Sequence, residues 1–430
     1  MPKQLVIVES PTKARTLQRL LGSDYIVESS MGHVRDLPAN ASEIPPALKK
    51  EPWARLGIDV QNWQPLYVVP ADKKKKVTEL RKLAKEVRTI LLATDEDREG
   101  EAISWHLIDL LKPKCPFKRM VFHEITDTAI LRAIEHTRDI DTDLVAAQEA
   151  RRIIDRLYGY EVSPVLWRKI APMLSAGRVQ SVAIRMLVDR ELERMRFREA
   201  EYWDLTARFR TEKGERFPAR LVTVDGRRVA GGRDFDPETG TLAQSDTLHI
   251  REDDAQALKK SLEGATFTIV SADEKPFVRS PAPPFTTSSL QQEGNRKLRF
   301  DAKRTMRAAQ RLYENGFITY MRTDSVALSE EALRLTRDAI RKEYGAEYLP
   351  KDPRTFRNKV KNAQEAHEAI RPAGHEIQPI DSIARKVGSD EARVYELIWK
   401  RTMACQMQVA RGRRMVLEVA ADVDGREVVF

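Results

Sequence analysis

Residues 89–111, TILLATDEDREGEAISWHLIDLL, contain the pattern that decides the fold of this chain. A short apolar run, 89–94, is followed by a cluster of acidic side chains and then by a segment with helical periodicity. The start of the chain has the same order: the apolar run 4–8 ends at Glu9, and Ser10 and Pro11 supply the cap and first residue of a helix. This alternation predicts a parallel sheet flanked by helices.

Four acidic side chains lie where these two predicted strands end. Asp95, Asp97 and Glu99 follow the second strand, and Glu9 follows the first. Ligands of open parallel sheets bind beyond the carboxyl ends of the strands, where gathered carboxylates repel one another unless a cation joins them. Such oxygen ligands suit Mg²⁺. The pattern predicts a Mg²⁺ site, with a solvated acidic turn as the alternative; an EF-hand is excluded because His106 stands where that motif needs glutamate.

A tyrosine and an arginine lie two residues apart in GFITYMRTDS, residues 316–325. The run 317–321 predicts a short strand, on which Tyr320 and Arg322 share a face. A phenol, with a pKa of about 10, is a weak nucleophile, but a neighbouring guanidinium can orient a phosphate and stabilise developing charge. The pair predicts attack on a phosphodiester; a half-buried tyrosine beside a surface arginine is the alternative.

Basic and aromatic residues are interleaved between residues 151 and 200, which contain 11 Lys and Arg against 6 Asp and Glu. The whole chain has a net charge of +9, which points to a polyanionic partner. Arginine and small residues suit phosphate contacts, and aromatic rings suit stacking on unpaired bases, although burial in a helical core is the alternative for the rings. The candidates are Arg151, Arg152, Asp155, Tyr160, Trp167, Ser175, Gly177, Arg178, Val179, Gln180 and Ser181.

His367 and Arg371 are one helical turn apart in QEAHEAIRP, a spacing that suits contact with phosphate. The zinc-protease motif HExxH is excluded because Arg371 occupies the position of its second histidine. A structural helix end before Pro372 is the alternative.

Several classes of protein are excluded by what the sequence lacks. Cys115 and Cys405 cannot form a disulfide framework or a four-cysteine zinc site. The first apolar run is too short for a signal peptide, and no apolar stretch approaches the roughly 18 residues of a membrane span. No phosphate-binding loop or dinucleotide fingerprint occurs, so an NTP-driven motor is not supported. We expect a cytoplasmic protein that uses neither ATP nor a membrane.

Taken in order, these stretches resemble the bacterial type IA DNA topoisomerase family. The resemblance runs from LVIVESPTKA through MGHVRDLP, LLATDEDREGEAISWHL, FHEIT, AQEARRIIDRLYGY and LSAGRVQS to PFTTSSLQQ, GFITYMRTDS and QEAHEAIRP. It spans essentially the whole chain.

The resemblance implies a multidomain α/β plus α protein whose domains form part of a toroidal gate. The expected segments are a Toprim-type parallel sheet that holds Mg²⁺ at 1–140, a helical single-strand DNA-binding segment at 141–197, a β-rich arch at 198–278, a helical tyrosine-bearing domain at 279–405 and a truncated returning arch strand at 406–430.

The resemblance also implies roles for single residues. Tyr320 would form a 5′-phosphotyrosyl bond with single-stranded DNA, with Arg322 and Lys13 stabilising the scissile phosphate. Glu9 would act near the leaving 3′-oxygen and near the metal that Asp95, Asp97 and Glu99 hold. The implied strand-binding positions are His33, Arg151, Arg152, Asp155, Tyr160, Trp167, Gly177, Arg178, Gln180 and His367.

We therefore expect a monomeric, ATP-independent, nucleoid-associated enzyme that relaxes negatively supercoiled DNA. Two alternatives remain: a type III-like decatenating enzyme, whose motif is usually Tyr-Pro-Arg rather than the Tyr-Met-Arg found here, and a Toprim-containing protein that binds nucleic acid without full relaxation activity. Because the chain stops within a strand pattern and lacks the family's later segments, we expect it to bind single strands but to relax plasmid poorly or not at all.

Overall fold

The computed structural model describes residues 3–356 and 368–430. The chain divides into two compact units. The first unit comprises Met1–Ala176 and Ser280–Val409, and the second comprises Gly177–Arg279 and Ala410–Phe430. Each unit is therefore built from two separate stretches of sequence.

Strands and helices are numbered along the whole chain. Those of the first unit are β1 (Gln4–Val8), α1 (Pro11–Leu21), β2 (Tyr25–Ser29), β3 (Ile58–Asp59), β4 (Gln64–Pro65), α2 (Lys74–Glu86), β5 (Thr89–Leu92), α3 (Arg98–Leu111), β6 (Phe117–Arg119), α4 (Asp127–Glu135), α5 (Thr142–Lys169), α8 (Thr287–Glu293), α9 (Ala302–Glu314), α10 (Glu330–Glu343), α11 (Ile380–Ala384) and α12 (Ser389–Gln406). Short helical turns cover Pro46–Leu48, Ala71–Lys73, Gly294–Leu298 and Ala346–Tyr348.

A four-stranded parallel sheet, in the order β2-β1-β5-β6, organises the first part of this unit. Because side chains alternate along a strand, β1 buries Leu5 and Ile7 on one face and Val6 and Val8 on the other. The first pair packs with α2 and α3, and the second packs with α1 and α4. Burial on both faces explains why these strands are almost purely apolar. The predicted parallel sheet flanked by helices is confirmed.

Two helices begin just beyond the carboxyl ends of β1 and β5, which are neighbours in the sheet. Ser10 caps α1, where its side chain accepts a hydrogen bond of 3.1 Å from the backbone N–H of Lys13, and Pro11 takes the first helical position. Asp97 caps α3 in the same way, accepting a 3.0 Å hydrogen bond from the N–H of Gly100. Both helix starts therefore lie at one edge of the sheet.

The segment that carries Tyr320 follows α9 and contributes to the hydrophobic core that also contains Val6 and Val8. The predicted strand at 317–321 is wrong, because its pairing within the described residues is limited to an isolated bridge between Ile318 and Pro372. A ladder does not form because neighbouring amides bond to unrelated carbonyls: Phe317 to Leu312, Thr319 to Arg371 and Tyr320 to His123.

The second unit contains α6 (Arg178–Arg196), β7 (Thr206–Arg210), β8 (Arg216–Arg220), β9 (Thr223–Val224), β10 (Arg227–Arg228), a short turn at Gly232–Asp234, α7 (Glu252–Leu262), β11 (Thr268–Arg279), β12 (Ala410–Val423) and β13 (Arg426–Val429). An antiparallel sheet in the order β10-β9-β13-β12-β11 packs around Leu221, Val224 and Val428. No helix in the described part of the chain is long and apolar enough to cross a membrane.

Candidate active site

Lys13 joins the ends of the two neighbouring strands. Its ammonium donates hydrogen bonds to Asp95 at 2.9 Å and to the two carboxylate oxygens of Glu9 at 3.2 and 3.4 Å. The side chain is fully buried, with its nitrogen 4.8 Å from the ring centroid of Phe122 and 5.6 Å from that of Tyr313. Two of the four acids predicted to share a cation, Glu9 and Asp95, therefore do so, and the cation that they share is a lysine.

Burial changes the pKa of each of these three groups. It raises the pKa of Glu9 to about 7, helped by Asp95 and opposed by Lys13. Burial also acts to raise the pKa of Asp95, but Lys13 outweighs it and leaves that pKa below its usual range. The pKa of Lys13 is raised because Asp95 and Glu9 outweigh the opposite effect of burial. Asp95 and Lys13 are therefore charged, whereas Glu9 can hold a proton near neutral pH.

The hydroxyl of Tyr320 donates a hydrogen bond to Asp97, with 2.7 Å between the oxygens. The side chain is buried, and Arg322 approaches the same carboxylate oxygen at 3.5 Å. Burial, with the charges of Asp95 and Asp97, raises the pKa of Tyr320 far above its usual range, while Arg322 acts in the opposite direction. Tyr320 therefore keeps its proton, and Asp97 is the group placed to accept it.

A cavity of about 330 Å³ borders Tyr320. Arg98, Arg151 and Arg322 line it together with Asp324 and the acidic residues 96, 97 and 99. Guanidinium groups that suit a phosphate and carboxylates that suit a cation therefore meet beside one phenol.

Glu99 lies at the edge of this group and has partners of its own. One of its carboxylate oxygens is 3.3 Å from the ring of His33 and accepts a hydrogen bond of 3.3 Å from Gln148. Glu9, Asp95, Asp97 and Glu99 all line a second cavity, of about 680 Å³, and their oxygens are the donor type that Mg²⁺ prefers. Among residues 3–356 and 368–430, however, no three Asp, Glu, His or Cys side chains are close enough together to hold an ion.

Two residues that the sequence analysis did not single out shape this loop. Gly100 packs so closely that a Cβ atom would lie 2.0 Å from the carbonyl oxygen of Asp95. Arg119 is fully buried, bonds to Glu101 and donates to the carbonyls of Leu92 and Asp95, among others. The glycine directly after the acidic run was a usable signal, whereas a lone arginine at a strand end was not.

Five of the predicted strand-binding residues of the first unit line a cavity of about 1070 Å³. Tyr160 accepts a hydrogen bond of 2.8 Å from Arg156, and the indole N–H of Trp167 donates to the carbonyl of Leu174. Arg152 forms two hydrogen bonds to Asp36, of 2.8 and 2.9 Å. The predicted residues that line this cavity are Arg152, Asp155, Tyr160, Trp167 and Ser175, whereas Arg151 lines the cavity beside Tyr320.

The remaining predicted residues of this stretch are part of the second unit. Gly177, Arg178, Val179, Gln180 and Ser181 belong to the second unit, where Gly177 precedes the first turn of α6.

Arg371 is not part of a helix, in contrast to the prediction, and its buried guanidinium binds Glu368 at 2.9 Å and Glu124 at 3.1 Å. In this arrangement its charge is used inside the fold rather than offered to a strand. His367 lies outside the described residues.

Comparison with known proteins agrees with this geometry. A family model described as DNA topoisomerase matches residues 139–430, and one described as Toprim domain matches residues 4–125. DNA topoisomerase 1 of Mycobacterium tuberculosis (strain ATCC 25177 / H37Ra) is 57% identical over 439 residues, covering 100% of this chain and 47% of the relative. The Streptomyces coelicolor protein of the same name is 55% identical over 437 residues, covering 100% of this chain and 45% of the relative.

Among solved structures, full-length topoisomerase I from Thermotoga maritima superposes with a TM-score of 0.75 at 33% identity, over 99% of this chain and 64% of that chain. The chain spans about half the length of the curated relatives it matches. With a Toprim sheet that ends in acids, a buried tyrosine bonded to one of them and this set of relatives, the chain belongs to the bacterial type IA DNA topoisomerase family.

Proposed function

We propose that this chain carries the strand-cleaving site of an enzyme that relaxes negatively supercoiled DNA. A bond would form between the Tyr320 hydroxyl oxygen and a backbone phosphorus while the bond from that phosphorus to the 3′-oxygen breaks, and religation would be the reverse. Exchange of one phosphodiester for another needs no ATP, and superhelical strain sets its direction. The main support is the 2.7 Å hydrogen bond from Tyr320 to Asp97, with Arg322 at the same carboxylate.

The neighbouring groups support a route for the protons. Asp97 already accepts a hydrogen bond from the phenolic hydroxyl whose proton must leave, and Glu9, with a pKa of about 7, can supply a proton to the leaving 3′-oxygen. Arg322, whose side chain is 59% exposed, is the basic residue nearest in sequence to Tyr320 and is placed to reach the scissile phosphate. Lys13 is fully buried, so its contribution is to hold Glu9 and Asp95 in place unless the site rearranges around the strand.

We further propose Mg²⁺ as the metal, with Asp95, Asp97, Glu99 and Glu9 as ligands that must move closer together than they lie in this structure. The support is the donor chemistry of the four carboxylates that line the 680 Å³ cavity. When bound, the ion would offset the charge of the phosphate and position the cleaved end.

In the first unit, the 1070 Å³ cavity is the place that we propose for the unpaired DNA strand. Tyr160 and Trp167, both partly exposed there, can each stack on a base for about 1–3 kcal/mol. Phosphate contacts at Arg151 and Arg152 would make binding salt-dependent. We place this activity in the cytoplasm, on nucleoid DNA, with the protein acting as a monomer.

A pair of tyrosine variants tests the proposal in the protein at its full natural length. Single-stranded DNA labelled at its 3′ end is incubated with Mg²⁺ and the protein is then denatured. We expect a labelled covalent adduct with the wild type and none with Tyr320→Phe. Tyr313→Phe is the matched control, because its ring lies 5.2 Å from that of Tyr320 and its buried hydroxyl has no hydrogen-bond partner among the described residues.

The label also tests the polarity of the bond. A 5′-phosphotyrosyl link retains a 3′-end label on the protein and releases a 5′-end label. An adduct that survives in Tyr320→Phe, or one that carries the 5′-end label, contradicts the proposal. Binding without any adduct in the wild type favours a nucleic-acid-binding protein that does not cleave.

A further inference from the structure

One face of α9 forms the wall opposite the acidic residues in the 680 Å³ cavity. The α9 residues that line it are Lys303, Met306, Arg307 and Gln310, and the facing residues include Glu9, Asp95, Asp97, Glu99 and Arg322. The α9 positions are three or four residues apart, which places them on one side of the helix.

The four basic residues of α9 divide according to the side they face. Arg304 donates to Asp390 at 2.7 and 2.8 Å, and Arg311 donates to Glu391 at 2.8 Å, so both are paired with α12. Lys303 and Arg307 are exposed, and neither makes an ion pair or side-chain hydrogen bond within the described parts of the chain. The two cations of α9 that line the cavity are thus the ones without an ion-pair partner in the described ranges.

The acids across the cavity do not need these two cations. Lys13 already bridges Glu9 and Asp95, and Asp97 is bonded to Tyr320 and Arg322. Two exposed positive groups across from carboxylates that already have partners are suited to an anion that enters from outside. Asp97, Glu99 and Arg322 line both this cavity and the one beside Tyr320, so the two cavities are close to one another.

We propose that Lys303 and Arg307 bind the DNA backbone phosphate next to the scissile one. The inference rests on the proposed strand-cleaving function and adds a phosphate subsite to it. A guanidinium can hold two phosphate oxygens at once, and the lysine adds a flexible point charge. This subsite would fix the position of the strand relative to Tyr320.

The test measures binding of single-stranded oligonucleotides in a Tyr320→Phe background, where cleavage does not interfere. One oligonucleotide is unmodified, and each of the others carries one uncharged methylphosphonate at a position stepped across the cleavage site. We expect Lys303→Gln with Arg307→Gln to weaken binding of the unmodified strand about tenfold. The slope of log affinity against log salt should become shallower by about 0.7, because the double variant neutralises one phosphate fewer.

The decisive observation is coupling between protein and DNA changes. In the parent, a methylphosphonate beside the scissile position should weaken binding, whereas in the double variant it should have no further effect. Arg304→Gln is the matched control: it removes an exposed arginine from the same helix and should keep the parent's pattern. Lys303→Arg with Arg307→Lys preserves both charges and should also keep the parent's pattern. This variant distinguishes the effect of lost charge from an effect of altered folding.

An equal loss of affinity at every methylphosphonate position, or no loss at all, overturns the inference. Adduct formation by Tyr320 on the unmodified strand is measured in parallel. If the adduct forms but the methylphosphonate and the double variant show no coupling, only the proposed phosphate subsite is wrong. If no adduct forms, the proposed strand-cleaving function is wrong, whatever the coupling shows.

Discussion

At the scale of single residues, Lys13 shows how a charge can be placed where water cannot reach it. Removing an ion from water costs several kcal/mol, and only close, well-directed partners offset that cost. Glu9, Asp95 and the rings of Phe122 and Tyr313 provide such partners. A buried lysine therefore keeps two carboxylates together at the end of the sheet.

Gly100 allows a test of how tightly the acidic loop is packed. In Gly100→Ala the new methyl group would lie 2.0 Å from the Asp95 carbonyl oxygen, so the loop must move. We expect a loss of about 1–3 kcal/mol in the free energy of unfolding, together with loss of the covalent adduct. Chemical denaturation and adduct trapping measure the two effects.

Gly231→Ala is the control for that substitution. Its Cβ would meet no described atom closer than 3.9 Å, and its φ of -121° is open to any residue. A change within about 0.5 kcal/mol is expected. An unchanged stability in Gly100→Ala would show that the loop has room that the structure does not indicate.

At the scale of elements, the starts of α1 and α3 place the chemistry. Each helix begins with a capping side chain, Ser10 or Asp97, beside one of the acidic residues that end the strands. Capping satisfies backbone N–H groups that lack partners within the helix. Asp97 has a double use, because one oxygen caps α3 and the other accepts the proton of Tyr320.

Removal of the cap of α1 should affect both stability and cleavage. Ser10→Ala deletes the acceptor of the Lys13 N–H and should lower the free energy of unfolding by about 1 kcal/mol. Ser329→Ala deletes an equivalent cap on α10, with a 3.2 Å bond to Ala332, and should cost about as much. Only Ser10→Ala should reduce adduct formation, since Lys13 lies in the same turn. Equal loss of adduct in both would point to stability alone.

At the scale of the whole molecule, the chain has separate hydrophobic cores in its two units. Leu290 is fully buried in the first unit, and Leu221 is buried in the second. Because a domain with its own core can in principle fold alone, we expect two transitions in calorimetry.

Leu290→Ala should lower the free energy of unfolding of the first unit by about 2–5 kcal/mol, and Leu221→Ala should lower that of the second unit by about the same amount. A single transition that both substitutions lower equally would show one cooperative unit instead.

The sequence by itself determined the local features of this protein. Apolar runs followed by caps and acids specified β1, β5, α1 and α3, because strand burial and helix capping depend on residues only a few positions apart. The same local order placed Glu9 and Asp95 at the carboxyl ends of two strands of a parallel sheet. Those predictions hold in the structure.

Only the tertiary structure decided the contacts that join distant segments. Tyr320 and Asp97 are 223 positions apart, and no local pattern shows which acid would accept the phenolic proton. The local sequence around Tyr320 predicts a strand. In the folded protein, however, its backbone amides bond to carbonyls of separate segments rather than to one neighbouring strand. Arg371 likewise turns inward to Glu368 and Glu124. Burial and long-range pairing set these outcomes because their free energy depends on the assembled core.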